Sequence, residues 1–335
     1  MPISVVIVAY RTGPALLRCL ESLEGQEGVI EAIVVDNGGG GPEIEEARGI
    51  DGARVVKAAG NVGFAAGCNL GALEAQGDVI VFLNPDTVVA DGALSQLERA
   101  VADPAVGIAM ARLLLLDQPD KLNSSGVEVH VTGIGWAGGF GDAADSVSER
   151  REVAAPSGTA MAVRTDTFHR LGGFADELFM YLEDLELGWR ARIAGFRVVI
   201  EPAADVLHEY EYGRNPRKNY FLERNRLVFV LTAYSARQLV LLGPLLVVTE
   251  LGMTAVALKE GWLRDKLAGW AWLVRNGRVV ARRRRTTQGL RTVRDRDLSR
   301  FLTATFSPAM VPVPGLLRVA NPAVRAYWTA VRKLL

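Results

Sequence analysis

The sequence predicts an α/β fold in which a mostly parallel sheet is flanked by helices and is followed by a helical, basic region. Apolar runs of strand length alternate with segments of helical periodicity in the first part of the chain, and this alternation is typical of a parallel sheet. Charge also divides the chain: the segment 1–214 has 16 basic and 32 acidic residues, whereas the segment 217–335 has 22 basic and 6 acidic residues. The last part therefore favours an anionic partner, although the formal net charge of the whole chain is +0.

The most informative strand is the apolar run 79–83, which is followed directly by Asn84, Pro85 and Asp86. Five apolar residues that stop at a proline indicate a buried central strand. The carboxyl end of such a strand opens into the crevice where parallel sheets bind ligands. Asp86 would supply there the hard oxygen ligand that Mg²⁺ or Mn²⁺ accepts together with substrate phosphates. For the tripeptide alone, a plain turn is the alternative.

Two further strands end on polar residues. The first is predicted over 3–9 and ends at Tyr10 and Arg11, and the second is predicted over 31–37 and carries Asp36 near its end. An acidic residue at the end of strand two suits a ribose hydroxyl or a base edge, although a turn or helix cap is also consistent with it. Between these strands, leucines fall at helical spacing, namely Leu16, Leu17, Leu20 and Leu23.

A glycine-rich segment follows a short strand predicted at 54–57. Its glycines, which would let the backbone approach a ligand closely, are Gly60, Gly63, Gly67 and Gly71. No Gly-x-Gly-x-x-Gly follows strand one and no Gly-x-x-x-x-Gly-Lys occurs, which disfavours a dinucleotide-dependent dehydrogenase and a P-loop enzyme. A helix over 92–102 and a strand over 106–111 come next, and over 113–153 the pattern weakens into a predicted loop region.

A second acidic cluster lies at the start of a helix that is predicted to begin near Glu183. Its buried stripe comprises Leu185, Trp189 and Ile193. Asp184 and Asp86 would both face the crevice, so that one is neutralised by a metal ion and the other accepts a proton. A role for these carboxylates as partners of the helix dipole is the alternative.

His208 is the best candidate for a second metal ligand. The chain has three histidines, and His208 follows the last predicted strand, which is expected to span 196–200 and to end at Glu201 and Pro202. A structural or surface role is the alternative for a lone histidine.

These motifs occur together in one order: SVVIVAY at 4–10, VVDN at 34–37, GNVGF at 60–64, NPD at 84–86, GGF at 172–174 and YLED at 181–184. In this combination the chain resembles a family 2 inverting glycosyltransferase of the GT-A fold, particularly the rhamnosyltransferase-like branch. The resemblance runs from Ile3 to about Arg226. It departs from the family at Asn84, where a first metal-binding carboxylate is usual, at Glu186, where an aspartate is usual, and at Ala175.

The resemblance implies roles for individual residues. Tyr10 and Asp36 would contact the base and the ribose, Asp86 and His208 would bind Mg²⁺ or Mn²⁺, and Asp184 would be the catalytic base. The nucleotide-sugar site is predicted to comprise Ala9, Tyr10, Arg11, Asp36, Asn61, Gly63, Asn69, Asn84 and Asp86. The acceptor or pyrophosphate site is predicted to comprise Glu183, Trp189, Arg190, Arg224 and Asn225.

We expect a catalytic GT-A domain over 1–215, with a nucleotide-sugar half over about 1–111 and an acceptor half over about 112–215. The region 216–335 is expected to be helical, basic and membrane-associated. Its segment 239–258 contains a single charge, Glu250, and matches the length of about 20 residues that spans a bilayer. Glu250 and the Gly243-Pro244 pair disfavour a span, so helices at the membrane interface are expected, with a span or a core helix as alternatives. No aromatic-basic motif for reading nucleic acid accompanies the basic excess.

The resulting expectation is an enzyme of cell-envelope polysaccharide synthesis. It would move a sugar such as rhamnose from a nucleoside-diphosphate donor, for example dTDP-rhamnose, to a lipid-linked glycan on the cytoplasmic face of the cell membrane. Two cysteines and an N-terminus without a basic leader favour a reducing compartment. The alternatives are a polyprenyl-phosphate sugar synthase and a catalytically inactive carbohydrate-binding or scaffold subunit.

Overall fold

The computed structural model describes residues 1–209, 215–309 and 315–335. The strands are β1 (Ile3–Ala9), β2 (Val29–Asp36), β3 (Ala53–Lys57), β4 (Val79–Leu83), β5 (Thr87–Val89), β6 (Val106–Leu115), β7 (Gln118–Ser124), β8 (Val127–His130), β9 (Gly135–Ala137), β10 (Arg151–Glu152), β11 (Ala160–Arg164), β12 (Arg197–His208) and β13 (Leu302–Thr303). The helices are α1 (Ala15–Glu21), α2 (Pro42–Ala47), α3 (Phe64–Glu74), α4 (Ala93–Ala102), α5 (Thr165–Leu171), α6 (Glu183–Ile193), α7 (Lys218–Ala233), α8 (Ala236–Lys259), α9 (Leu263–Arg275), α10 (Gly277–Gly289), α11 (Asp295–Leu298) and α12 (Gly315–Leu334).

The large sheet has the strand order β10-β12-β6-β11-β4-β1-β2-β3, with β5 paired to β12 and β7 to β6. Four neighbouring strands, β3, β2, β1 and β4, are parallel. Beyond them β11 runs antiparallel to both β4 and β6, whereas β12 is parallel to β6. The predicted α/β class is therefore confirmed, with a parallel half and a mixed half in the same sheet.

The core of this sheet follows from its apolar runs. Every residue of β1 and β4 is buried, because helices cover strands that lie inside the sheet. Two glycines let α3 pack closely on β1: a Cβ atom on Gly67 would lie 2.8 Å from Cγ1 of Val8, and one on Gly71 would lie 2.4 Å from Cγ1 of Val6. These two glycines therefore serve helix–sheet packing, whereas the sequence suggested that they approach a ligand.

Strand β12 is longer than predicted, and the expected end at Ile200 is wrong. Its pairing with β6 jumps from Glu201 opposite Ala111 to Asp205 opposite Arg112, and Pro202 lies in this irregularity. Proline is tolerated in a strand at such a bulge, so the strand continues to His208. The extended strand then pairs with β5, which places His208 opposite Thr87.

The predicted loop over 113–153 also contains regular structure. Strand β6 continues to Leu115 and turns back through β7, and the short strands β8, β9 and β10 follow. Short strands between glycines and polar residues leave little periodicity in the sequence, which is why they were missed.

The chain divides into two compact units. Unit 1 comprises Met1–Val127, Ala137–Ala191 and Phe196–Glu211, and unit 2 comprises Glu128–Trp136, Arg192–Gly195 and Tyr212–Leu335. Unit 2 contains the predicted helical C-terminal region, in which α7 packs against α9 and α10. A small sheet in the order β13-β8-β9 accompanies these helices.

Helix α8 begins at a capping box. The Oγ atom of Ser235 accepts a hydrogen bond from the backbone N–H of Gln238, and Oε1 of Gln238 accepts one from the N–H of Ser235. The helix is 6% buried over its most apolar stretch. Among the described residues it is the one helix long and apolar enough to cross a membrane by length and composition.

Candidate active site

The carboxyl ends of β1 and β2 lie side by side, with Ala9 paired to Asp36. The backbone O of Ala9 accepts a hydrogen bond of 2.9 Å from the N–H of Asn37, and the Ala9 side chain is buried. Oδ1 of Asp36 accepts hydrogen bonds from the N–H groups of Gly38 and Gly40, at 3.2 and 3.1 Å. Ala9 therefore contributes backbone to this crevice edge, and Asp36 is fixed in place by the turn that follows it.

Asn37 organises the glycine-rich loop, a role that was not predicted from the sequence. Its Nδ2 donates to Oδ1 of Asn61 and to the backbone O of Gly63, both at 3.3 Å, and its Oδ1 accepts from the N–H of Val62 at 2.9 Å. Oδ1 of Asn61 also accepts from the N–H of Gly63 at 3.1 Å. The position of Asn37 directly after the Asp36 strand end was the available signal.

Tyr10 and Arg11 form the exposed edge of this region. The guanidinium carbon of Arg11 lies 5.3 Å from the centroid of the Tyr10 ring, within the range of a cation–π contact. Arg11 has a φ of +55°, in the left-handed region that residues other than glycine adopt rarely. The exposed Tyr10 ring is thus oriented by its neighbour and is available to stack on a planar ligand.

Asp86 and His208 meet where β4 and β12 end. Nε2 of His208 lies 3.3 Å from Oδ1 of Asp86, and Nδ1 of His208 lies 3.0 Å from Oδ1 of Asn123. Because Oδ1 of Asn123 is an acceptor, the Nδ1 atom donates, and Nε2 is the ring nitrogen able to coordinate a cation. Asn123 therefore orients the imidazole toward Asp86.

The donor atoms of this pair fit a divalent metal ion. Oδ1 of Asp86 is buried without a hydrogen-bond partner, which is costly for a carboxylate oxygen unless a cation binds it. Carboxylate oxygen and imidazole nitrogen are ligands that Mn²⁺ accepts, and Mg²⁺ is usually bound by one or two carboxylates together with substrate phosphates. In the three described ranges of the chain, no three His, Cys, Asp or Glu side chains form a metal-binding group. Asp86 and His208 are therefore the residues that would hold such an ion.

Asp184 lies at the start of α6 and is held by two backbone groups. Its Oδ2 accepts a hydrogen bond of 2.8 Å from the N–H of Gly158, and its Oδ1 accepts one of 2.7 Å from the N–H of Leu185. Burial raises the pKa of Asp184 above its ordinary value, and the hydrogen bonds from Gly158 and Leu185 oppose that rise. A carboxylate with a raised pKa is a stronger base, which suits proton abstraction.

A two-residue segment connects Asp184 to the Asp86 turn. Gly158 donates to Asp184, and the backbone O of the next residue, Thr159, accepts a hydrogen bond of 2.8 Å from the N–H of Asn84. Asn84 in turn accepts from Oγ1 of Thr87 at 2.7 Å through its backbone O. Both candidate catalytic carboxylates therefore depend on the same segment that leads into β11.

Glu183 is buried beside Asp184 at the start of α6. Burial raises the pKa of Glu183 well above its ordinary value, and the charge of Asp184 raises it further. Oε2 of Glu183 is buried without a hydrogen-bond partner. Of the two carboxyl groups, Glu183 therefore holds its proton more tightly, and Asp184 is the one whose charged form is stabilised by backbone hydrogen bonds.

The segment before α6 is strained. Phe179, Tyr181 and Leu182 have φ values of +66°, +67° and +64°. Such conformations cost about 1–3 kcal/mol each in residues other than glycine, and they concentrate at functional sites. The N–H of Ala65 donates to the backbone O of Phe179 at 3.1 Å, and a Cβ atom on Gly63 would lie 2.6 Å from that oxygen. The strained segment thus couples the glycine-rich loop to the helix that carries Asp184.

Asn69 fixes the GGF motif and the residues after it by hydrogen bonds. Its Nδ2 donates to the backbone O of Phe174 at 2.9 Å and to Oδ1 of Asp176 at 2.5 Å, and its Oδ1 accepts from the N–H of Phe174 at 2.8 Å. These contacts position the loop 172–176, so the structure gives Asn69 a positioning role where the sequence suggested direct contact with the donor.

Arg190 and Trp189 are core residues, which corrects their assignment to the acceptor or pyrophosphate site. The side chains of Arg190 and Glu186 are 0% and 1% exposed, and Nη2 of Arg190 lies 2.6 Å from Oε2 of Glu186. Arg190 also donates to the backbone O of Leu171 and of Gly173. Trp189 is fully buried, as its place in the apolar stripe of α6 predicted. Arg190 therefore fixes the end of α5 and the GGF motif by hydrogen bonds, while Glu186 neutralises its charge.

Arg224 and Asn225 lie in α7 of unit 2, and both are buried. Nε of Arg224 donates to Oδ1 of Asn225 at 2.9 Å, and the guanidinium carbon of Arg224 lies 4.7 Å from the Trp272 ring centroid. Their predicted role at a pyrophosphate stays a prediction.

Comparisons with known proteins concern the family and the fold. The model of the family described as Glycosyl transferase family 2 matches residues 4–170. A relative from Mycobacterium tuberculosis, N-acetylglucosaminyl-diphospho-decaprenol L-rhamnosyltransferase, is 29% identical over 244 residues, which cover 63% of this chain and 78% of the relative.

Two solved structures show the same fold. The structure of GalNAc-T7 with UDP, GalNAc and Mn²⁺ matches with a TM-score of 0.59 and 16% identity over 69% of this chain, which spans 48% of that protein. The mannosyltransferase PcManGT from Pyrobaculum calidifontis, in complex with GDP-Man and Mn²⁺, matches with a TM-score of 0.51 and 16% identity over 98% of this chain and 85% of that chain. At this identity the likeness concerns the fold alone, and it confirms the predicted GT-A fold.

Proposed function

The chain belongs to glycosyl transferase family 2 over residues 4–170, and from this premise we propose that it is an inverting, metal-dependent enzyme that transfers a sugar to a lipid-linked glycan. The donor is a nucleoside-diphosphate sugar, with dTDP-rhamnose as the first candidate. The observation that carries the proposal is the segment Gly158-Thr159, which holds Asp184 by one backbone group and the Asn84–Asp86 turn by the other.

In the proposed reaction Asp184 takes the proton of the acceptor hydroxyl. The acceptor oxygen then attacks the anomeric carbon of the donor, a new glycosidic bond forms, and the bond between that carbon and the diphosphate oxygen breaks. Attack opposite the leaving group inverts the anomeric configuration. The nucleoside diphosphate leaves with the bonding electron pair, and Asp184 retains the proton until it is released to solvent.

The remaining residues bind and orient the donor. Tyr10 supplies a ring for the base, Asp36 accepts hydrogen bonds at the ribose, and Asn37 keeps the loop 60–63 in the shape that receives the donor. A divalent metal ion held by Asp86 and His208 would neutralise the charge of the diphosphate leaving group. Protonated Glu183 keeps a second negative charge away from the sugar and the departing diphosphate.

The lipid-linked acceptor is supported by the Mycobacterium tuberculosis relative, whose name specifies a diphospho-decaprenol acceptor and an L-rhamnosyl group. We propose in addition that the enzyme acts in cell-envelope polysaccharide synthesis and is peripheral on the cytoplasmic face of the cell membrane.

The test uses the full-length protein and a panel of nucleoside-diphosphate sugars, scored for release of nucleoside diphosphate. Each donor is tested with Mg²⁺, Mn²⁺ or EDTA, and with or without a polyprenyl-diphosphate-linked glycan. The expected result is acceptor-dependent release from one donor, abolished by EDTA. Transfer onto polyprenyl phosphate itself would instead identify a polyprenyl-phosphate sugar synthase, and silence across the panel with all acceptors would favour a binding or scaffold subunit.

A further inference from the structure

Helix α8 of unit 2 exposes an apolar stripe. The stripe comprises Val240, Val247, Val248, Leu251 and Leu258, whose exposed fractions lie between 59% and 76%. Spacings of 7, 11 and 18 residues from Val240 bring Val247, Leu251 and Leu258 onto one side of an α-helix, with Val248 beside them. Soluble monomers rarely expose a continuous apolar surface of this kind without a partner.

The flank of α8, about a quarter turn from the stripe, is anchored by a cluster of charges that are buried or partly buried. Glu250 pairs with Arg226 of α7 and with Nζ of Lys266 of α9, the latter at 3.1 Å. Glu223 of α7 completes the cluster, 2.6 Å from Nζ of Lys266 and 3.2 Å from Nε of Arg226. Since Glu250 lies near the middle of α8, a helix that crossed a bilayer would carry these charges of α7 and α9 to its mid-plane. The cluster therefore favours a helix that lies along a surface over one that spans a membrane.

A cationic cavity lies at the amino-terminal end of the stripe. Its volume is about 420 Å³, and its charged lining residues are Arg237, Arg294, Arg296, Asp297 and Lys333. Within the part of the chain that the structure describes, none of its four cations forms an ion pair with a carboxylate. Arg237 lies in the first turn of α8, three residues before Val240, so the cavity and the stripe adjoin on the same helix.

We propose that this face of unit 2, formed by the stripe and the cationic cavity, docks on the surface of an anionic phospholipid bilayer. Helix α8 lies in the plane of the interface with its stripe among the acyl chains, and the cavity binds lipid phosphate groups. The charge balance supports this occupant, because the segment 217–335 has 22 basic and only 6 acidic residues. The inference deepens the proposed membrane location, and its test requires no sugar donor.

The first arm measures flotation of the full-length protein with vesicles of phosphatidylcholine alone or mixed with phosphatidylglycerol. We expect binding to the anionic vesicles, weakened by salt. The double variant Val247→Glu and Leu251→Glu should lose at least about tenfold in binding, because two charges would enter the acyl region. The double variant Arg294→Gln and Arg296→Gln should bind anionic vesicles about fivefold more weakly for each cation removed. Its binding to vesicles of phosphatidylcholine alone should not change. The matched controls are Leu73→Glu and Arg48→Gln with Arg151→Gln, which change exposed residues of unit 1 and should bind like wild type.

The second arm measures how deeply three positions of α8 enter the bilayer. Single cysteines at Val240, Leu251 and Leu258 are labelled with an environment-sensitive dye; the native Cys19 and Cys68 are buried and should not react. Quenching by lipids that carry the quencher at known depths should place all three labels at the same shallow depth. A label at Leu251 much deeper than the other two would show a spanning helix and overturn the proposal. Labels unaffected by vesicles, or a stripe buried in a second copy of the chain, would overturn it as well.

Discussion

Nε2 of His208 lies 3.3 Å from Oδ1 of Asp86, although 121 residues separate them in the sequence. The contact exists because β12 continues past Pro202 and pairs with β5, which follows Asp86 directly. Asn123 fixes the imidazole from the other side through Nδ1. This contact fits the proposed metal site, in which each of the two strand ends would supply one ligand.

His208→Gln should raise the metal concentration required for half-maximal activity by at least about tenfold, because the variant loses the nitrogen ligand that faces Asp86. The measurement is the concentration of Mn²⁺ or Mg²⁺ that gives half-maximal release of nucleoside diphosphate. His169→Gln changes an exposed histidine and is the matched control. An unchanged metal dependence in His208→Gln would remove His208 from the proposed site.

Asn37→Asp should weaken donor binding by about tenfold while the protein stays folded. The replacement removes the two hydrogen bonds that Nδ2 donates to Asn61 and Gly63, and it adds a second carboxylate beside Asp36 in the crevice proposed to receive the anionic donor. Isothermal titration with the nucleoside diphosphate measures the loss, and thermal unfolding shows whether the fold persists. Donor affinity equal to that of wild type would contradict the role assigned to Asn37.

The sequence predicted the strands that bear the site better than the contacts between them. Strands β1 and β4 have the bounds expected from their apolar runs, because uninterrupted apolar segments between turn residues allow few other structures. The continuation of β12 through Pro202 was not visible, since it depends on a bulge that only the pairing with β6 creates. Strand pairing is set by tertiary structure. The family resemblance could therefore suggest Asp86 and His208 as joint ligands, but the sequence could not predict the geometry of their contact.

Arg190 shows a second limit of the sequence. An arginine near an acidic motif suggests an anion site. The neighbouring sequence does not reveal that the guanidinium of Arg190 is hydrogen-bonded to Glu186 and to the carbonyl groups of Leu171 and Gly173. Glu183 and Asp184 are likewise equivalent in the sequence. Burial of the first and backbone hydrogen bonds to the second distinguish them in the structure.

Arg190→Met should lower the free energy of unfolding by about 3–5 kcal/mol, because it leaves the Glu186 carboxylate buried without its partner. Urea denaturation measures this change. KM for donor and acceptor should remain near wild type in the folded fraction, since Arg190 does not reach the crevice. A large rise in acceptor KM at unchanged stability would restore the role in acceptor binding.

Glu183→Gln should stabilise the protein at neutral pH and flatten its stability profile. A carboxyl group whose pKa is raised by folding binds its proton more tightly in the folded state, so its contribution is fully present below the ordinary pKa of 4.5 and is lost as pH rises through the folded-state pKa. Urea denaturation between about pH 5 and pH 8 measures the slope. Glu45→Gln, at an exposed site, is the control and should leave the slope unchanged. A steeper loss of stability with pH in Glu183→Gln would contradict the neutral state of Glu183.

The most direct test of the central claim compares wild type with Asp184→Asn in two assays on the same preparations. Donor affinity is measured by isothermal titration, and transfer to the lipid-linked acceptor is measured by product formation. Asparagine has nearly the shape of aspartate but cannot accept the proton, and its single oxygen keeps only one of the two backbone hydrogen bonds. Transfer should therefore fall about 10²–10⁴-fold, while donor affinity stays within about twofold because Asp184 does not bind the donor. Retained transfer, or an equal loss of donor binding and transfer, would contradict the assignment of Asp184 as the base.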